Sequence, residues 1–312
     1  MIQYQVKDDV DALSLRISDA AGRVVRELSA PESRRRRGIR TMCWDMRLEP
    51  IPALGGGGGG RGGGGGAAGA VVPGIPAPPP TAGYLPVDPC DLGDDGDGGG
   101  GGGGGGRGGA GGTDGPAVVP GIYRVALVVD GDLVDSKPLE IVMDPAVALA
   151  GAERIAYNRL TTDLHELQRG GTAMAATLNA LHIGLTAAAE ELSGRDDAPA
   201  GVKAELDAYM EAWDEVRTKF GVPVAAGGGG RGGGGGGGGS PSNVLARAGA
   251  LKGNILSFWE PPSAALVGQY YEVKPALEAA IAEATEMLER ARVLSAILDD
   301  EGISLEVPRA GG

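Results

Sequence analysis

The sequence predicts an α+β chain with separate β and α parts. An antiparallel immunoglobulin-like β-sandwich covers residues 1–147, and an antiparallel four-helix bundle covers 148–300. Three observations predict this. Residues 1–47 and 121–143 alternate apolar and polar side chains with period two, the mark of half-buried strands. After Asp144-Pro145 the composition turns to Ala, Leu and Glu at helical spacing. Three Gly-rich tracts, 55–66, 98–112 and 227–239, carry most of the 59 glycines of the 312 residues and leave the remainder with ordinary globular composition.

Runs 2–6, 13–17 and 24–28 read as the first strands, with Asp19-Ala20-Ala21-Gly22 turning between the second and third. A fourth run, 39–47, carries Trp44. The alternation then breaks over a Gly/Pro-rich insertion, 50–117, and resumes at 121–129. Asp130-Gly131-Asp132 is a hairpin turn signal, followed by a strand at 139–143. An interrupted sandwich fits because surface loops tolerate insertion and cores do not.

In the second part, Leu160, Leu167, Met174, Leu181 and Ala188 are seven apart, and so are Leu164, Gly171, Leu178, Leu185 and Leu192. The phase survives Gly170-Gly171, so one helix of roughly 60 Å is expected over 152–192, although each glycine costs ~1 kcal/mol in a helix. A second helix follows Pro199 with Val202, Leu206, Tyr209, Trp213, Val216 and Phe220 on one stripe. A third is expected at 242–258. A fourth runs from Leu266 to Leu298, with Pro275 a kink or a late start. A Gly-rich loop, 221–241, separates the second and third helices, and 301–312 reads as a tail.

The net charge of −13 argues against generic polyanion binding, which needs phosphate neutralisation. No apolar run approaches a membrane span, and the first ten residues lack a signal-peptide layout. Poly-Gly satisfies a dinucleotide-binding glycine pattern trivially, without the required strand and helix around it. His165 and His182 lie 17 apart on one helix, away from any metal-ligand spacing. Asp88, Asp91, Asp94, Asp95 and Asp97 lack the spacing of a calcium loop. No catalytic constellation, cofactor site or metal site is expected. Arg34-Arg35-Arg36-Arg37 reads as a loop between strands or as a contact for a phosphate or an acidic partner. The two cysteines, Cys43 and Cys90, are either one disulfide or two free thiols.

Taken in order, Ile17-Ser18-Asp19-Ala20-Ala21-Gly22-Arg23-Val24-Val25-Arg26, Trp44-Asp45-Met46-Arg47, Val119-Pro120-Gly121-Ile122-Tyr123-Arg124-Val125 and Val142-Met143-Asp144-Pro145 make a recognisable series. It resembles the C-terminal part of bacterial sortilin-like, BNR-type propeller proteins often labelled glycosyl hydrolases. In that family an immunoglobulin-like sandwich follows a β-propeller and precedes a helical bundle. Here the first strand begins directly after Met1, so the resemblance implies either a propeller encoded on another chain or modules that act alone. It also implies an extracytoplasmic or cell-surface location.

The function expected is that of a non-catalytic structural or interaction protein. It would assemble with a propeller partner or with itself, as an oligomer or filament, through sandwich, bundle and Gly-rich tracts. The alternative is an accessory subunit of a propeller-type glycoside hydrolase whose catalytic part lies on another chain. The tracts themselves read either as flexible linkers or as polyglycine strands in the polyproline-II form, exchanging backbone hydrogen bonds. Each tract carries one arginine, Arg61, Arg107 or Arg231. In packed glycine strands these side chains must point outward, and with Trp44 and Tyr123 they are the residues expected at an interaction surface.

Overall fold

The structure is a computed structural model, and it describes residues 1–52, 113–145, 147, 149–195, 197–221 and 242–309. The three Gly tracts, Arg61, Arg107, Arg231, Cys90 and the acidic segment before the second tract lie outside the described residues. The chain is mixed α+β, with six strands and four α-helices among the described residues.

Strand β1 (Ile2–Val6) pairs antiparallel with β4 (Gly38–Met42). A second sheet runs β3-β2-β5-β6, built from β2 (Leu13–Ser18), β3 (Val24–Ser29), β5 (Gly121–Val129) and β6 (Asp132–Ile141), with every pair antiparallel. Period-two alternation puts Leu13, Leu15 and Ile17 on the inner face of β2, where all three are buried. They meet Tyr4, Val6 and Met42 of the smaller sheet at one end, and Trp44 and Tyr123 at the other. The turns are set by local chemistry. Asp19 accepts from the backbone N–H groups of Ala21 and Arg23 while Gly22 takes φ +81°. In the β5–β6 hairpin, Asp130 and Gly131 both have positive φ, as a primed two-residue turn requires.

Helix α1 (Gly151–Ser193) is continuous for 43 residues through Gly170-Gly171, as the heptad phase predicts. α2 (Ala200–Lys219), α3 (Val244–Leu256) and α4 (Ala264–Asp300) complete the set. Pro275 sits inside α4, eleven residues past its start, and removes only the bond to the Tyr271 carbonyl, a residue that faces solvent.

The helices are not four abreast. α3 runs antiparallel to the N-terminal half of α1: Tyr157 Oη donates to the Ile255 carbonyl at 3.2 Å, and Gly171 meets Leu245. α2 lies beside the C-terminal half, where Asp214 and Arg217 bear on His182. α4 runs parallel to α1, with Lys274 on Asp163 near one end and Ile281 near Gly170, while Tyr209 of α2 donates to the Met287 carbonyl at 2.8 Å. α2 and α3 therefore follow one another along the α1–α4 pair, forming one column interrupted by residues 222–241. Among the described residues, any level of the bundle holds three helices. The heptad stripes give no warning of this, because a split column buries the same apolar face as two separate helices would. The segment after α4 is also more than a tail, since Ile303 and Leu305 are buried and the Leu305 carbonyl accepts from Ser295 Oγ.

The glycine pair has a packing reason. A Cβ on Gly171 would sit 2.8 Å from Leu245 Cδ1 and 3.4 Å from Leu277 Cδ1, at the point where α1, α3 and α4 meet. At Gly170 the nearest such atom is 4.0 Å away. Gly170→Ala should therefore raise unfolding stability by about 1 kcal/mol through helix propensity. Gly171→Val should lower it by ~1–3 kcal/mol through overpacking. Urea denaturation of the two variants checks the contrast.

Candidate functional site

Both Gly-rich insertions are rooted on the same stretch of the bundle, and a buried polar cluster lies between the roots. The first insertion begins and ends in a stem of two antiparallel segments, 46–51 and 113–118. Val118 N–H donates to the Met46 carbonyl, Leu48 to Pro116 and Ile51 to Thr113, at 2.8–2.9 Å. The segments approach so closely that a Cβ on Gly115 would lie 2.2 Å from the Leu48 carbonyl oxygen, so glycine is required there. One side of the stem also meets the sheet edge, where Glu49 N–H donates to the Val25 carbonyl. Ile51 is buried.

The other side of the stem is held by helix side chains. Asn158 Nδ2 donates to the Ala117 carbonyl at 3.3 Å. His165 Nε2 lies 2.8 Å from the Glu49 carbonyl oxygen, and His165 Nδ1 lies 3.0 Å from Lys252 Nζ. A carbonyl can only accept, so Nε2 carries the ring proton and Nδ1 is left as the acceptor for the lysine amine. The Arg169 guanidinium, 3.1 Å from Nε2, is then a second donor beside the same carbonyl, which it reaches at 3.4 Å. The result is an unbroken chain from α3, through the imidazole on α1, to the backbone of the stem.

Electrostatics follow from burial. His165 and Lys252 are both 0 % exposed. Burial, then the lysine beside it, pulls the His165 pKa down to about 4, against the opposing pull of the Glu49 carbonyl. Burial likewise pulls Lys252 down to about 7; Asp114 on the stem opposes the shift, and Arg169 and Arg47 reinforce it. An amine and an imidazole in contact, both able to be uncharged near neutral pH, have the ingredients of acid–base chemistry. They are sealed from solvent, and the arrangement joins α1, α3 and the stem.

The second insertion leaves α2 at Phe220, buried, and Gly221, at φ +70°. It re-enters at Asn243, which caps α3 by accepting from Ala246 N–H at 2.9 Å. A Cβ on Gly221 would fall 2.3 Å from Asn243 Nδ2, so the two ends of this loop touch. Asn243 and Lys252 are nine residues apart, about 14 Å along the chain direction of α3 at 1.5 Å per residue.

The other expected residues have defined places. Trp44 and Tyr123 are buried and pack edge-on, ring centroids 6.0 Å apart, so they serve the core of the β part rather than an exposed contact surface. The arginine run is built into the β3–β4 connection: Arg34 donates to the Thr41 carbonyl, Arg35 to Ala30 and Asp11, and Arg36 pairs with Glu32. Cys43 is disulfide-bonded. Among the described residues no group of His, Cys, Asp or Glu is placed to hold a metal ion, and no helix is long and apolar enough to cross a membrane. An open cleft of about 350 Å³ lies between the β2–β3 turn and α1, lined by Asp19, Arg23, Asn158, Glu166 and Arg169 among others.

Reading the sequence for metal or nucleophile spacing passes over Lys252. The signal for it was the α3 stripe Leu245, Ala248, Lys252, Ile255, in which a lysine occupies a core position. The chain matches no protein-family model, no curated protein and no solved structure.

The sign of the pH response follows from the two shifts. Both groups bind protons more weakly in the folded chain than in the unfolded one, so unfolding takes up protons. Stability should fall as pH drops from about 10.5 to 7, through Lys252, and again from about 6.5 to 4, through His165. Lys252→Met should flatten the upper window and narrow the lower one, because it also removes the charge that helps hold the His165 pKa down. Guanidinium unfolding across the pH range measures both.

Proposed function

We propose that this chain is a non-catalytic structural or interaction protein whose folded parts form a frame for its Gly-rich insertions. The observation that carries this reading is the rooting of both insertions on one stretch of the bundle. One uses a stem clamped by His165, Asn158 and Arg169; the other uses the touching ends Gly221 and Asn243. An insertion that only lengthened a surface loop would need no buried clamp. One that interrupts a helix column leaves two extra helix ends to be satisfied, a standing cost that selection for function would explain.

This reading includes, as part of the proposal, the immunoglobulin-like assignment of the two-sheet part and the sortilin-like resemblance. The assembly partners are copies of this chain or a separate β-propeller chain. Ordering glycine costs on the order of 1–2 kcal/mol per residue or more with almost no apolar burial in return. Tracts that assemble must therefore share backbone hydrogen bonds across several strands, including strands from other copies. Arg61, Arg107 and Arg231 would then face outward, toward a partner.

Light scattering after size exclusion, combined with hydrogen exchange at 55–66 and 227–239, tests the reading. Concentration-dependent oligomers that lose protection at the tracts, and fall to monomer, when 227–239 is deleted would support it. A monomer at every concentration, with both tracts exchanging at coil rates alone and with a propeller chain present, would refute it.

A further inference from the structure

We propose that His165 and Lys252 form a proton-operated latch, which seats the stem of the first insertion on the bundle while both are uncharged and unseats it when they take up protons. The inference does not depend on what the insertion does once released.

The geometry carries it. The stem's contact with α1 centres on one carbonyl, that of Glu49, which takes the Nε2 proton of His165 at 2.8 Å. Behind the ring, Nδ1 is held by Lys252 Nζ at 3.0 Å, and both side chains are wholly buried. His165 is therefore bound to Lys252 on one side and to the stem on the other.

The charged groups that bear on this pair are unbalanced. From α1 comes Arg169, itself paired with Glu166 at 3.7 Å; from the stem come Arg47 and Asp114. The Glu49 carboxylate is directed to Arg26, at 3.7 Å. Among the described residues Asp114 is thus the one carboxylate acting on the lysine, against two guanidinium groups. A proton on Lys252 places a poorly compensated charge out of water. A second proton, on His165 Nδ1, removes the acceptor for the lysine and sets two cations 3.0 Å apart. Water can solvate both only if a neighbouring element moves. The helices are locked by the bundle core, whereas no stem residue belongs to that core, and the stem meets the helices through hydrogen bonds to its carbonyls beside the buried Ile51. The stem is the part free to yield.

Hydrogen exchange on the full chain, corrected for the intrinsic pH dependence of amide exchange, tests this. Between pH 9 and pH 5 the amides of 46–51 and 113–118 should lose at least tenfold in protection and remain less protected than the α4 core, with helical circular dichroism unchanged. Lys252→Met should remove the part of the loss between pH 9 and 7. His165→Gln, whose amide still donates to the Glu49 carbonyl, should remove the part below pH 6.5. Asp114→Asn should deepen the loss at pH 5 relative to wild type. The latch is overturned by protection that stays flat with pH, by an undiminished response in both Lys252→Met and His165→Gln, or by stem and α4 amides exchanging at one common rate at every pH.

Discussion

A single imidazole connects the two halves of this chain to the base of its largest insertion. His165 donates to the Glu49 carbonyl from one nitrogen and accepts from Lys252 at the other, and accepting at Nδ1 requires the ring to be neutral. The helices could pack without it, since their apolar stripes meet in a continuous core. What the imidazole adds is position. It fixes the stem, and with it both ends of residues 53–112, at one level of α1. A buried hydrogen-bonded pair of this kind contributes specificity more than net stability, because desolvating the lysine offsets much of what its bond provides.

The bundle is arranged around the same level. Gly171 lets Leu245 and Leu277 close on the α1 backbone, so the start of α3 and the middle of α4 converge six residues beyond His165. There the α2–α3 column is broken, and Gly221 and Asn243 bring the two ends of the break together. Two insertions far apart in sequence thus leave from neighbouring places on the frame. An effective concentration of one segment near the other follows from such rooting alone, without any new contact between them.

Much of this was legible in the sequence, for physical reasons that can be traced residue by residue. Period-two runs located β1, β2, β3 and β5, and Asp130-Gly131 fixed the hairpin, because turn chemistry and alternation are local. The unbroken heptad phase outweighed the poor helix propensity of Gly170-Gly171, and α1 is continuous there. β6 begins earlier than its apolar residues suggest, at Asp132, because it pairs with β5 on one edge and faces solvent along most of its length. The three-helix cross-section was not legible, since heptad stripes state which face is buried and not which helix lies opposite. Nor was the cluster: a histidine and a lysine eighty-seven residues apart acquire their meaning only when α1 and α3 pack. A charged residue on an apolar stripe was its one trace in the sequence.

The tautomer of His165 is the feature on which the account turns, and nitrogen NMR of the ¹⁵N-histidine-labelled chain reads it directly. The account predicts a neutral ring at pH 7 with its proton on Nε2, an unprotonated Nδ1, and no change of state until the pH approaches 4. A cationic ring at pH 7, or a neutral ring protonated on Nδ1, would contradict it, because neither leaves Nδ1 able to accept from Lys252 while Nε2 donates to the stem.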